Sequence, residues 1–185
     1  EAYLASDQST PVNSAVYIMG VIDYNQGNSQ RATELFGSLT DLDNEIGQSS
    51  YLYLGQCAMR SKDYSSAAIA FEKAYSPGYD TKVSETALYN YAVACTSGGK
   101  VPFGSSIDLL ETFIKTYPKS QYASTVDEFL ATAYYNEQDY HKALASIERI
   151  ANPKEKVLAA KQKVLYELGI EALSNGRNDD AIDYM

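Results

Sequence analysis

The amino-acid sequence predicts an all-α protein built from antiparallel helix pairs stacked one on another, with about five pairs in the chain. Two observations lead to this prediction. The stretch Tyr51–Pro77 has the pattern of two short amphipathic helices joined by a polar turn. Its pattern of small and large apolar residues recurs along the chain, and stacking is required because one such pair cannot bury its own apolar faces.

Three residues of this stretch predict that its two helices pack closely. Gly55 on the first helix has no side chain, so a second helix can approach it. Phe71 follows Ala67 by four residues on the second helix, so both lie on one face and the ring can fill the groove. We expect these residues to stabilise the pair and to have no chemical role.

The chain as a whole divides into successive units of this kind. Residues 1–12 have the pattern of the end of a second helix, which we expect to stop at Pro11 because proline disfavours helix in the residue before it. Successive repeats are then expected at 13–47, 48–84, 85–123, 124–161 and 162–185. The sequence therefore predicts one array over residues 1–185 that is truncated at both ends and that can self-associate through those ends.

The period of the repeat follows from the small residue of each first helix. The spacings between these residues are 35, 37, 39 and 38 positions. The residues are Gly20, Gly55, Ala92, Ala131 and Gly169. Each second helix carries a small residue and, four positions later, a large apolar one. These pairs are Ala32 and Phe36, Ala67 and Phe71, Ser106 and Leu110, Ala143 and Ile147, and Ala181 and Met185.

These recurring small and large apolar residues resemble the tetratricopeptide repeat, whose signature W-x2-L-G-x2-Y, then A-x3-F, then P recurs about every 34 residues. The match is strongest at Tyr51, Leu54, Gly55, Ala58, Ala67, Phe71 and Pro77. It is weaker where Ser106 replaces alanine and where Asp127 occupies the aromatic position. The resemblance covers nearly the whole chain, and it implies a right-handed superhelical solenoid that is stabilised by contacts between neighbouring repeats.

A narrower resemblance covers Phe113–Leu144. Its motifs are Tyr117-Pro118-x-Ser120-x-Tyr122-Ala123, Ala133-Tyr134-Tyr135 and Tyr140-x-x-Ala143. They are similar to bacterial envelope proteins of this repeat class, namely outer-membrane assembly lipoproteins and the periplasmic partner of the Tol system. The resemblance implies a periplasmic or outer-membrane-associated scaffold, with a cytoplasmic location as the alternative. Here Pro118 should end one helix and Ser120 should cap the next.

In the repeat family that this chain resembles, the first helices line a concave groove that recognises a protein or peptide. Transferring the register predicts an aromatic and weakly charged groove, in which tyrosines offer a large contact area at low entropic cost. Its predicted lining is Tyr17, Val21, Tyr24, Leu52, Gln56, Met59, Tyr89, Val93, Glu128, Thr132, Tyr135, Tyr166 and Ile170. The alternative is that missing repeats of the array cover this stripe.

Some members of that family clamp a C-terminal carboxylate with cations and amides in the groove. Of the matching positions here, only Asn90 carries a suitable side chain. We therefore do not expect this mode of binding, because a carboxylate needs cationic partners.

The charge and the apolar content of the chain bear on other kinds of partner. The net charge is −9, from 24 acidic and 15 basic residues, and no stretch concentrates lysine and arginine as a nucleic-acid binder does. No apolar run approaches the roughly 18 residues of a membrane helix. We expect neither nucleic-acid binding nor membrane insertion of this part of the protein.

Two stretches invite a ligand interpretation that their spacing does not support. In Leu39–Gly47 the carboxylates suggest calcium, but Ile46 stands directly before the glycine and the segment fits an inter-repeat turn. Gly98–Lys100 suggests a phosphate loop, but Val101 follows where serine or threonine is needed, and a helix precedes. We predict no metal and no cofactor. The second stretch is expected to project Phe103, either packed down or offered to a partner.

No group of residues predicts catalysis. His141 is the only histidine, and its position at the start of a second helix predicts a solvated surface residue. Asp179 and Asp180 fall in a first helical turn, where negative charge complements the helix dipole. Cys57 and Cys95 are expected as small buried residues, with a bridge between neighbouring repeats as the alternative.

The main functional hypothesis is therefore a non-catalytic scaffold that presents its groove to a protein or peptide in a bacterial envelope. Two other hypotheses remain open. One is a sensor or regulatory domain of a cytosolic signalling protein, and the other is the accessory array of a larger enzyme.

Overall fold

A computed structural model describes the backbone of residues 2–98 and 106–185, and side chains in that part from Val12 onward. These residues form ten helices and no strand, which confirms the predicted all-α class. The helices are α1 (Ala2–Gln26), α2 (Ser29–Gly37), α3 (Glu45–Arg60), α4 (Tyr64–Tyr75), α5 (Thr81–Gly98), α6 (Ser106–Thr116), α7 (Ala123–Asn136), α8 (Tyr140–Glu148), α9 (Glu155–Ser174) and α10 (Asn178–Tyr184). The expected loop at Phe103 lies outside the described residues.

The chain divides into two compact units, Glu1–Leu109 and Leu110–Met185. In the first unit each helix packs against the next one from α1 to α5, and α3 also contacts α1 and α5. In the second unit α7 packs on α8, α8 on α9 and α9 on α10. Short connections make neighbouring helices antiparallel, so each unit is a stack of helix pairs.

Close packing at the glycines of the first helices confirms the predicted role of the small residues. A Cβ atom at Gly20 would lie 2.8 Å from Cε1 of Phe36, and one at Gly55 would lie 2.5 Å from Cε1 of Phe71. Both rings are completely buried. The two helices of these pairs can therefore approach only because the first helix has no side chain at this point.

The turn inside a helix pair has the same geometry four times. Its left-handed residue is Gly27, Lys62, Gln138 or Gly176. In each case the next residue donates its backbone N–H to a carbonyl five positions earlier, as Asn28 does to Asp23 at 2.9 Å. Glycine adopts this conformation without steric cost, whereas Lys62 and Gln138 adopt it at a steric cost from their side chains. The turn at Gly27 directly follows the end of α1, and the same turn geometry recurs in these four pairs.

Polar side chains cap several helices at positions that the sequence assigned to turns. Asn44 Oδ1 accepts from the N–H groups of Ile46 and Gly47 at 2.9 and 3.2 Å, which makes the turn before α3 an N-cap. Asp80 Oδ1 accepts from Lys82 and Val83 at 2.7 and 3.2 Å. The predicted repeat starts at 48, 85, 124 and 162 lie inside α3, α5, α7 and α9, because these helices begin earlier than the repeat pattern indicated.

Two local predictions are wrong. The helix expected to end at Pro11 does not end there, because α1 continues from Ala2 to Gln26. Proline disfavours helix in the residue before it, but a long helix can tolerate one lost hydrogen bond. Ser120 does not cap α7 either, since its Oγ accepts from Tyr122 N at 3.0 Å, one residue before the helix begins. It stabilises the entry turn instead.

Candidate functional site

The second unit contains a cavity of about 340 Å³ with α7 on one side and α9 on the other. Its α7 side includes Glu128, Thr132 and Tyr135, which were predicted to line a groove. These residues follow one another at four and three positions, so they share one face of the helix. The structure thus brings three of the predicted residues together in a single cavity.

The opposite side of the cavity is formed by α9. Lys156, Ala160 and Lys163 also have helical spacing and line the cavity from that side. The apolar residues Ile147, Val157 and Val164 line it too, and all three are buried. The cavity therefore combines a buried apolar base with polar and charged walls.

Two of these wall residues are cations that the sequence analysis missed. Among the described residues, no carboxylate lies within ion-pair distance of Lys156 or Lys163, whereas Lys161 on the same helix binds Glu148 at 3.3 Å. This cavity carries more charge than the predicted groove residues alone, because Lys156 and Lys163 line it together with Glu128. Register transfer considered only positions near Gly169, but α9 begins at Glu155 and extends far beyond them. The spacing of Lys156, Ala160 and Lys163 could have revealed the basic wall.

The predicted groove residues of the first unit form aromatic packing between repeats. The ring centroid of Tyr53 lies 6.0 Å from Tyr17, 5.2 Å from Tyr24 and 4.8 Å from Phe36. Val21 packs against the same buried cluster. Burial raises the pKa of Tyr17 and of Tyr24 above the usual value of a tyrosine. Part of the surface predicted to meet a partner therefore stabilises the array itself.

Arg60 completes this aromatic group and was missed from the sequence. Its guanidinium lies 3.6 Å from the centroid of the Tyr24 ring, and Nη1 donates to the Tyr24 carbonyl oxygen at 2.7 Å. The cation–π contact and the hydrogen bond fix the outer face of Tyr24. Arg60 ends α3, so its link to α1 depends on how the two helices stack and has no local sequence signal.

The remaining predicted groove residues differ in exposure. Leu52 is only 9% exposed, so it belongs to the core and offers little surface to a partner. Tyr166 and Ile170 are 60% and 40% exposed. The half-buried members are Gln56, Met59, Tyr89 and Val93. Asn90 uses its amide within α5, where Nδ2 donates to Thr86 O at 2.8 Å.

The histidine and the two cysteines that were considered for chemistry lie in places that fit a surface or packing role. His141 is exposed, and its ring centroid lies 6.5 Å from that of Tyr184. Cys57 and Cys95 are buried and unbridged, as expected for small buried residues. Burial raises the pKa of both thiols, that of Cys95 to about 11, which makes them poor nucleophiles. Within residues 2–98 and 106–185, no three potential metal-binding side chains gather.

Comparison with known families identifies the repeat. Two family models, both described as tetratricopeptide repeat, match residues 79–183 and 19–81. The chain belongs to the tetratricopeptide repeat family. Tetratricopeptide repeats generally mediate protein–protein interaction, and their fold is typically a non-catalytic scaffold. A search among curated proteins found no match.

Solved structures with tetratricopeptide-like repeats have a similar fold. One contains nearly identical TPR-like repeats from a Podosopora anserina protein described as a kinesin light chain, with a TM-score of 0.58 and 17% identity over 92% of this chain and 90% of that one. Another is BtubC (BKLC) from P. vanneervenii, with a TM-score of 0.53 and 18% identity over 100% of this chain and 82% of that one. At these identities the similarity shows the fold, and it confirms the predicted TPR-like solenoid.

No helix among the described residues combines the length and apolar character that crossing a bilayer requires. This finding concerns the tetratricopeptide repeats of residues 2–98 and 106–185.

Proposed function

We propose that this chain is a non-catalytic scaffold that binds a segment of another protein in the cavity between α7 and α9. The observation that carries the proposal is the convergence of Tyr135, Lys156 and Lys163 around one apolar base. A volume of about 340 Å³ is enough for one or two side chains of a bound peptide. The cavity lies on a first-helix face, where proteins of this family generally engage their partners.

The chemistry of the walls favours a segment that carries an acidic residue next to an apolar one. An apolar side chain would displace water from the base formed by Val157 and Val164. A neighbouring carboxylate would be attracted by the ammonium groups of Lys156 and Lys163. Tyr135 packs against Tyr140, with ring centroids 5.5 Å apart, so its position is fixed before binding and little entropy is lost.

Selection from a random peptide library against the purified chain tests the proposal. Selected peptides should be enriched in aspartate or glutamate beside an aliphatic or aromatic residue. Calorimetric titration should show affinity at least about tenfold weaker for Tyr135→Ala, because this side chain supplies the largest apolar contact. Lys156→Ala with Lys163→Ala should weaken binding and reduce its salt dependence.

A matched control replaces two lysines outside the cavity. Lys119 and Lys154 are exposed and do not line it. Their double alanine variant removes the same charge from the second unit and should bind the peptide as the unmodified chain does. Binding that is insensitive to the cavity variants, or equally sensitive to the control, would contradict the assignment.

Location in a bacterial envelope is a separate proposal, supported by the resemblance at Phe113–Leu144. Fractionation of cells that produce the natural protein tests it. Recovery in the cytosolic fraction alone would argue against an envelope scaffold.

A further inference from the structure

The contact between the first two helix pairs shows how one repeat covers another. Tyr53 on α3 packs against Tyr17, Tyr24 and Phe36 of the preceding pair. Leu54 packs against the same buried cluster, to which Cys57 belongs. Each such contact therefore has two halves. One is the face of a first helix that covers the preceding pair, and the other is the face of the pair that is covered.

One face of α1 has the register of the covering half of such a contact, and this face is exposed in the structure. Measured from the small residues Gly20 and Gly55, Ile18, Met19 and Ile22 occupy the positions that Tyr53, Leu54 and Cys57 occupy on α3. These three residues of α1 are 56%, 43% and 50% exposed. Their counterpart Cys57 is 4% exposed. We call Ile18, Met19 and Ile22 the α1 face.

The last helix pair carries the second half of the contact. Measured from Gly169, Tyr166, Ile170 and Leu173 correspond to Tyr17, Val21 and Tyr24. By the same register Met185 corresponds to Phe36. The exposed fractions of Tyr166, Ile170, Leu173 and Met185 are 60%, 40%, 47% and 72%, whereas Phe36 is completely buried. We call these four residues the α9 face.

We propose that two copies of this chain associate head to tail, with the α1 face of one copy covering the α9 face of the next. Both faces are apolar, and their residues occupy the register positions that meet between the first two pairs of this same chain. The charges near the α1 face do not oppose this contact. Between Val12 and Gln26 the one charged residue is Asp23, which is 6% exposed and binds Arg31 at 3.3 Å.

The contact uses different surfaces on the two copies, so each copy retains one free face after a first association. Such a heterologous contact builds longer assemblies unless a ring closes. The cavity residues Glu128, Thr132 and Tyr135 belong to neither face. The inference is therefore independent of the proposed peptide binding.

Sedimentation velocity of the purified chain over a wide range of concentration tests the association. The average mass should rise progressively above that of the monomer. Added sodium chloride should strengthen the association, because the faces are apolar and copies with a net charge of −9 repel one another at low salt. A chain that stays monomeric at every concentration would overturn the proposal, as expected if a repeat of a longer chain normally covers the α9 face.

Complementary variants test the head-to-tail arrangement. Ile18→Lys with Ile22→Lys disables the α1 face, and Ile170→Lys with Leu173→Lys disables the α9 face. For each variant alone, the dissociation constant of self-association should rise at least about tenfold. Each variant should therefore stay monomeric at concentrations where the unmodified chain associates. A mixture of the two should form a one-to-one dimer and nothing larger, because only one intact face of each kind remains.

Ile69→Lys is the matched control, since Ile69 on α4 is 50% exposed and belongs to neither face. It should associate as the unmodified chain does. Circular dichroism should show unchanged helix content in all variants. A single-face variant that still dimerises alone, a mixture that forms no dimer, or a control that behaves like the face variants would each overturn the proposal.

Discussion

Gly55 on α3 lies directly against the ring of Phe71 on α4, so closely that a Cβ atom at position 55 would be 2.5 Å from Cε1 of the ring. Real Cβ atoms do not approach a ring carbon this closely. The ring is completely buried and cannot move outward without opening the pair. The distance between α3 and α4 is therefore set by the absence of one methyl group.

Gly55→Ala should destabilise the protein by about 1–3 kcal/mol, because overpacking outweighs the roughly 1 kcal/mol gained from the better helix propensity of alanine. Urea unfolding followed by circular dichroism measures this as a lower midpoint. Gly37→Ala is the control, since a Cβ atom at Gly37 would meet nothing within 4 Å. It should leave the midpoint unchanged or raise it slightly. Equal effects of the two substitutions would refute the steric account.

A second prediction concerns Gln48, which links α3 to α4, to α5 and to the connection between them. Its Nε2 donates to Ala74 O and to Ser84 Oγ at 2.9 Å each, and its Oε1 accepts from Asp80 N at 2.7 Å. Gln48→Leu keeps a similar volume but removes the hydrogen bonds to Ala74 O and Asp80 N, whereas Ser84 Oγ keeps its bond to Asp80 O at 3.0 Å. It should cost about 2 kcal/mol or more.

Hydrogen exchange gives a local measurement of this effect. The Asp80 amide should exchange much faster in Gln48→Leu, because its acceptor is lost. Gln56→Leu serves as the control, since Gln56 is half-buried on the same helix. An unchanged exchange rate at Asp80 would mean that the hydrogen bond to Gln48 does not protect this amide.

The features that the sequence predicted well depend on spacing within one helix pair. Gly20, Gly55, Phe36 and Phe71 could be identified because a small residue and an aromatic residue recur with a regular period. The helices of a pair are joined by short turns, so local spacing determines which side chains meet. The continuation of α1 through Pro11 could not be inferred in this way. The residues around a proline look alike whether the helix ends there or continues past it.

The features that the sequence did not predict depend on residues brought together by stacking. Asp127 was recognised only as a departure from the aromatic position, whereas the structure pairs it with Arg149, 22 residues away. The basic side of the cavity likewise faces α7 across the space between first helices. Neither relationship has a fixed spacing in the sequence, because each depends on the angle and offset between helices.

The ion pair of Asp127 and Arg149 leads to a third prediction. Asp127 is 3% exposed, and its Oδ1 accepts from Arg149 Nε at 2.9 Å and from Nη2 at 2.5 Å. Arg149→Met removes the cation but preserves much of the side-chain volume. It should destabilise the protein by about 2 kcal/mol or more at neutral pH, because a buried carboxylate loses its partner.

The pH dependence of this loss distinguishes charge from packing. Burial raises the pKa of Asp127, and Arg149 lowers it, so removing Arg149 raises the folded-state pKa further. A carboxyl group whose pKa is higher in the folded state than in the unfolded state destabilises the fold when it is ionised. This destabilisation disappears as the pH falls from above the folded-state pKa to the unfolded-state pKa, which is near 4. The difference in stability between the variant and the unmodified chain should therefore shrink on acidification. A constant difference would indicate lost packing alone.

Arg177→Met is the control for this pair. The side chains of Arg177 and Arg149 are both 44% exposed, but the partners of Arg177, Glu171 and Asp180, are also largely exposed. Water screens such pairs, so this substitution should change stability by less than about 1 kcal/mol at any pH.

The last prediction concerns the reactivity of Cys57 and Cys95. Burial, together with the nearby Glu72 charge, raises the pKa of the Cys95 thiol to about 11, so very little thiolate exists at pH 8. Both thiols are also shielded, each residue being 4% exposed. In the folded protein they should react with Ellman's reagent only as fast as the helices open, and both should react immediately in urea.

Ser65→Cys adds an exposed thiol on α4 and should contribute one fast equivalent under native conditions. Fast native reaction of Cys95 itself would show that α4 and α5 separate readily.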